Sequence, residues 1–184
     1  MAALAATLAG IAPGALDWQP ARAHAEPWRA FSAVAVHYSA LHLAANLLGA
    51  VLVAALGAAA GVPRAMVVAW ACAWPLTQFG LWVRPDLGHY GGLSGVLHAG
   101  AAVAAVHLMR RGPGARRWIG ATLMAGLLCK VLLEAPWGPA LRVDTGWDFA
   151  TAPLAHATGV AAGTLCALAA IALHLRSPTL RPDV

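Results

Sequence analysis

Apolar segments recur along this chain at about 39 to 60, 65 to 83, 93 to 109, 117 to 134 and 153 to 175. Each is near the length that crosses the hydrocarbon core of a bilayer, and each is bounded by glycine, proline or charge. With 60% hydrophobic and only 10% charged residues over 184 positions, and a mean hydropathy of +0.68, the chain takes the bilayer as its solvent. Met1 to Leu16 is a further apolar run, broken by Pro13 and Gly14 and shorter than the roughly 20 residues of a full span. Ala23-His24-Ala25 resembles a small-residue cleavage site, but the positive region that opens a signal peptide is missing. Counting that first run, the expectation is an all-α membrane protein of six transmembrane helices, about 1–16, 39–60, 65–83, 93–109, 117–134 and 153–175, forming one membrane domain over residues 1–184.

The connecting residues set the orientation. Arg64, the cluster Arg110, Arg111, Arg116 and Arg117, and the terminal Arg176 and Arg181 fall on one side, while Arg22, Arg29, Arg84 and Arg142 fall on the other. Short loops rich in arginine stay in the cytoplasm, so seven against four places the cluster inside. The net charge of +5 is thereby a topology signal, and a nucleic-acid partner is not expected. Asp17, Glu26, Asp86, Asp144 and Asp148 then face outward. Residues 17–37 have the composition of an interfacial loop, and Trp18, Trp28, Trp82, Trp137 and Trp147 fit an aromatic belt, with Trp70 and Trp74 deeper. Cys72, Cys129 and Cys166 lie inside apolar runs, odd in number, and form neither a disulfide framework nor a metal-type pair.

This topology brings polar residues from three distant helices to one depth. His42 and Asn46, one turn apart and on one face, lie near the outer end of the segment 39–60. Ser94 opens the segment 93–109 within Gly91-Gly92-Leu93-Ser94-Gly95, and His156 lies near the outer end of 153–175 with Gly159 and Gly163 following. A lone polar residue in such a helix is ordinarily a packing residue. The shared depth of four of them supplies the parts of acyl transfer: Ser94 as nucleophile, His156 as general base and then acid, and Asn46 with His42 and the Ser94 N–H as oxyanion donors. No third acidic residue is evident, since Asp144 and Asp148 lie in the preceding loop. Lys130 and Glu134, four apart, read as a stabilising pair rather than as chemistry. Haem or metal ligation by His42 and His156 is disfavoured because no set of three or four ligands has coordinating spacing and because Ser94, Asn46 and the glycines would have no task; no cofactor and no metal are expected.

These residues resemble the rhomboid family of intramembrane serine proteases. The resemblance rests on Trp28-Arg29 in the first loop, on His37, His42 and Asn46 in HxxxxHxxxN spacing, on Gly92-Leu93-Ser94-Gly95, and on Ala155-His156-Ala157-Thr158-Gly159 with Gly163. It implies a six-helix bundle with a Ser94/His156 dyad, no aspartate and no metal, and a water-filled cavity open to the outer face where transmembrane substrates are cut. Gly159 and Gly163 would let the last helix press against Gly95 and Ala99. Bacterial rhomboids commonly carry a tyrosine four residues after the serine, packed on the histidine, where this chain has His98. Leu93-Ser94-Gly95-Val96-Leu97-His98 and the small size resemble the rhombosortase branch, which implies substrates bearing a C-terminal glycine-glycine, a hydrophobic helix and a basic tail, and a home in a bacterial inner membrane with the site opening to the periplasm. His98 is a second candidate base one turn from Ser94, with His156 preferred because it faces the serine from another helix. An inactive rhomboid-like protein that binds transmembrane segments is the alternative; the presence of both Ser94 and His156 speaks against it.

Overall fold

A computed structural model describes residues 13–110 and 114–176, with side chains as far as Leu173. Five long helices carry the fold: α1 (Ala40–Ala60), α2 (Arg64–Phe79), α3 (Ser94–Arg110), α4 (Ala115–Leu133) and α5 (Pro153–Arg176). A 3-10 turn, Gly80–Val83, prolongs α2, and a one-turn helix, Arg29–Ser32, interrupts the first loop. The architecture is an all-helical membrane bundle. Among the described residues three helices are long and apolar enough to cross a bilayer: Ala40–Ala60, Arg64–Val83 and Pro153–Leu173. Of the expected first segment, residues 1–12 lie outside the described residues, and Pro13–Ala15 form a 3-10 turn.

Helix α3 is the axis. Apolar on every side, it buries twelve of its residues, from Gly95 to Leu108, as a helix enclosed by others must. Each neighbour approaches it through a small residue or a fitted ring. Gly49 of α1 meets Leu97, and Gly120 of α4 sits against the Ala105 carbonyl. Trp70 of α2 packs on Gly100 and donates its indole N–H to the Val96 carbonyl at 2.8 Å. On α5, a Cβ at Gly159 would land on the Gly95 carbonyl oxygen, and one at Gly163 on that of Ala99. The lipid supplies no hydrophobic drive for helix pairing, so this close approach of backbones is what holds α3 and α5 together.

Helix α1 is patterned the other way. Ser39 caps it by accepting the His42 N–H at 3.0 Å, and Gly61, at φ 64, closes it in the left-handed conformation with Val62 N–H bonded to the Gly57 carbonyl. Its buried residues are His42, Asn46 and Ala60, whereas Leu47, Leu48, Val51 and Leu52 are more than half exposed. The helix therefore shows apolar side chains to lipid and polar ones to the protein.

The stretch 84–93, between α2 and α3, is not helical. Irregular backbone at membrane depth persists only where protein or water satisfies it. Here the first loop does so. Trp18 and Tyr90 exchange both backbone hydrogen bonds, at 2.7 and 2.8 Å, and Gly92 N–H donates to the Ala33 carbonyl at 2.9 Å. Trp18 is fully buried, its ring edge-on to Phe79, which corrects its expected place in the aromatic belt: it is a core residue, while Trp28, Trp82, Trp137 and Trp147 stay exposed. Arg29, itself buried, pairs with Glu26 and Asp17 and donates to the carbonyls of Gly14 and Asp17, both at 2.9 Å. Ser32 adds a bond to the Leu16 carbonyl at 2.6 Å. The first loop is thus a rigid clamp on the segment that delivers Ser94.

Candidate active site

Ser94 is the first residue of α3, and His156 sits one turn into α5. The tight α3–α5 contact at Gly95 and Gly159 brings His156 Nε2 to 3.1 Å from Ser94 Oγ, within hydrogen-bonding range across 62 residues of sequence. Gly95 is itself constrained: a Cβ there would collide with the Ala155 carbonyl and with Thr77. Thr158 ties the same turn of α5 to α2 by donating to the Thr77 carbonyl at 3.0 Å.

The other nitrogen of His156 has a partner that sequence reasoning set aside. Nδ1 lies 2.7 Å from Glu134 Oε2, while Lys130 Nζ lies 2.5 Å from Glu134 Oε1 and 3.4 Å from the ring nitrogen. Glu134 caps the C-terminus of α4, and Ala135, at φ 50, turns the chain away in the left-handed conformation directly after it. The expectation that Lys130 and Glu134 only pair with each other is therefore corrected: they also meet His156. The available signal was their spacing, which places both on the helix face that ends level with Ser94; nothing in the sequence stated which helix that face would meet.

His98 stacks on His156, ring centroids 4.2 Å apart and planes 17° from parallel. Its Nδ1–H donates to the Ser94 carbonyl at 2.7 Å, the helical i to i−4 acceptor. The ring thus fills the place expected of a tyrosine on the histidine, and its bond goes to Ser94 backbone rather than to the hydroxyl.

His42 and Asn46 come from α1. The Tyr38 N–H approaches His42 Nδ1 at 3.4 Å, which makes Nδ1 the acceptor and leaves the proton on Nε2. That nitrogen and the Asn46 amide both crowd the face of Gly92 where a side chain would stand, and Gly92 itself is at φ 114, a conformation reserved for glycine. Asn46 Nδ2 is buried without a hydrogen-bond partner. An unpaired buried donor is costly, and the residue that carries it lines a cavity. Phe149, from the segment after α4, stacks on His42 at 4.0 Å and 10°, and Ser39 Oγ donates to Asp148 at 2.6 Å, so that segment roofs the site.

One cavity of about 840 Å³ joins these groups. Its walls include His42 and Asn46 of α1, Ser94 and His98 of α3, Lys130 of α4 with Glu134, and His156 of α5. Gly159 and Gly163 lie behind the wall, in the α3–α5 contact. His37 is buried behind the wall, edge-on to His42 at 4.8 Å, and His89, which bonds Tyr38 at 3.1 Å, lines the cavity. His107 is buried toward the far end of α3, and the side chain of His174 lies outside the described residues. Among the described residues no three His, Cys, Asp or Glu side chains gather as metal ligands.

A family model, the Rhomboid domain, matches residues 24–173. The chain belongs to the rhomboid family. No curated protein and no solved structure matches it. In this rhomboid domain the match begins within the first loop and runs through α5, so it contains Ser94, His156, His42 and Asn46 together. Rhomboid domains generally act as serine proteases on transmembrane substrates within the bilayer. The chain, like them, is a multi-pass membrane protein.

Proposed function

We propose that this protein is an intramembrane serine endopeptidase in which Ser94 is the nucleophile and His156 the base. The observation that carries the reading is the 3.1 Å approach of His156 Nε2 to Ser94 Oγ beside a cavity that Asn46, whose amide nitrogen has no partner, also lines. Ser94 Oγ attacks the scissile carbonyl carbon as its proton passes to Nε2. The negative charge that develops on the carbonyl oxygen is met by Asn46 Nδ2–H, His42 Nε2–H and the Ser94 N–H, donors already in place before the reaction. His156 returns the proton to the leaving amine, giving an acyl-enzyme at Ser94. Water then attacks the ester with His156 again as base, and the serine is regenerated with release of a carboxylate.

The whole of 1–184 is read as one membrane domain around α3. Its arginine-rich end, with Arg64, Arg110, Arg116 and Arg117, faces the cytoplasm of a bacterial inner membrane, and Ser94 opens to the periplasmic side. The substrates we assign are transmembrane or C-terminal anchor segments, with the glycine-glycine tails of the rhombosortase branch as the preferred class; Leu93-Ser94-Gly95-Val96-Leu97-His98 and the His98–His156 stack support that choice.

The test is labelling of the detergent-purified protein by a fluorophosphonate probe, with the attachment site read by mass spectrometry. Wild type is expected to label at Ser94, and Ser94→Ala and His156→Ala to lose the label. A folded wild type that does not label would instead favour an inactive protein that binds transmembrane segments. Loss in His98→Ala with retention in His156→Ala would move the base to His98.

A further inference from the structure

Glu134 takes no part in the chemistry above, yet its carboxylate touches the imidazole. Each of its oxygens has one partner: Oε1 holds Lys130 Nζ at 2.5 Å and Oε2 holds His156 Nδ1 at 2.7 Å. We propose that Glu134, fixed by Lys130, is the positioning residue that holds the His156 proton on Nδ1 and so leaves Nε2 free to accept from Ser94. The proposal rests on the protease reading for its consequence, but the proton's position can be measured without any turnover.

The logic is one of donors and acceptors. An ionised carboxylate only accepts and an ammonium only donates. Glu134 therefore compels Nδ1 to carry hydrogen. Lys130 alone, 3.4 Å from the same nitrogen, would compel the opposite: Nδ1 would accept, the proton would stand on Nε2, and His156 would donate toward Ser94 Oγ instead of receiving from it. The pair is thus arranged with the anion nearer the ring and the cation behind it. The groups that face His156 are Ser94 and His98 from α3, Lys130 from α4 and Glu134 at its end; of these only the carboxylate is an obligatory acceptor at Nδ1. Glu134 is also held in place twice over, by the salt bridge and by the turn at Ala135.

The same logic yields a test with a rescue. In Glu134→Gln one oxygen becomes an NH2 group. Lys130 has only donors, so it claims the remaining oxygen and turns the amide nitrogen toward His156, inverting the tautomer. In Lys130→Met/Glu134→Gln nothing holds the amide in that sense, so its oxygen is free to turn to Nδ1 and the working tautomer to return. Histidine labelled with 15N in the detergent-solubilised full chain reports the tautomer, the His156 signals being assigned by their loss in His156→Ala. Turnover of a transmembrane reporter peptide is measured on the same samples.

The expected result is protonation at Nδ1 in wild type, at Nε2 in Glu134→Gln, and at Nδ1 again in the double variant. In step with this, kcat should fall about 10²- to 10⁴-fold in Glu134→Gln with KM little changed, the size of loss that follows when the imidazole of a serine triad is held in the wrong tautomer, and recover at least tenfold in the double variant. A Glu134→Gln protein that keeps the Nδ1 proton and a kcat within threefold of wild type would overturn the assignment. If wild type shows no turnover while the tautomer still inverts in Glu134→Gln, the protease reading fails and the positioning role of Glu134 stands.

Discussion

At the residue scale, the contact that matters most is made by atoms that are absent. Gly159 and Gly163 have no side chains, and their faces are occupied by the carbonyls of Gly95 and Ala99. A methyl at Gly159 must push α5 off α3, and the motion separates His156 from Ser94. Gly159→Ala is therefore expected to lower stability by about 1–3 kcal/mol and to cut probe labelling by more than the loss of folded protein explains. Thermal unfolding in detergent, run beside the labelling rate of the folded fraction, checks this. Undiminished labelling per folded molecule would mean that the helix spacing does not set the pair. His42, Asn46, Ser94 and His156 could be picked from the sequence because a polar side chain in an apolar segment stands out against its background. Glu134 could not be assigned in the same way: at the end of a helix, with a lysine one turn before it, it has a sufficient local explanation, and its second contact, to His156, depends on which helix packs opposite.

At the scale of the element, the first loop behaves as a structural part in its own right. Its composition reads as interfacial, and several of its side chains do stay exposed, but Trp18 and Arg29 are buried and bind backbone belonging to other turns of the chain. Sequence patterns cannot report this, because a hydrogen bond to a carbonyl makes no demand on the identity of the residue that owns it. His37, at the loop's end, carries a consequence for pH. Burial pushes its pKa below the ordinary 6.5, against the opposing bond from Nδ1–H to the Ala35 carbonyl. The folded state thus prefers the neutral ring. The stability this ring contributes is complete above 6.5 and is lost as pH falls below it, because the unfolded chain takes up the proton first. Wild type should lose more of its thermal stability between pH 7.5 and 5 than His37→Asn does. Equal losses in the two proteins would remove His37 from the acid response.

At the scale of the whole molecule, the periodic apolar segments specify the bundle, since a chain this poor in charge has few ways to satisfy its backbone in lipid. Helix α3 would not be selected as its axis by length, being 17 residues, or about 25 Å, against roughly 30 Å of hydrocarbon. Ser94, at the head of this short helix, opens into the cavity roofed by the segment after α4. The orientation assigned to the bundle has its own check. With Cys72, Cys129 and Cys166 replaced, a single cysteine at Val143, which is 81% exposed, should react with a membrane-impermeant maleimide added to intact spheroplasts, while one at Ala115 should react only after lysis. The reverse pattern would turn the site to the cytoplasm.

The separation of Ser94 and His156 by 62 residues also bears on how a copy of this protein is made. A ribosome delivers the serine with α3 and the histidine only with α5, the last of the described helices. Through the insertion of α3 and α4 the nascent chain holds, under the proposed chemistry, Ser94 without its partner His156, and Glu134 arrives before the ring it touches. Under the proposed chemistry no unfinished chain can cut its neighbours in the membrane. On that reading, completion of the bundle is itself the activation step.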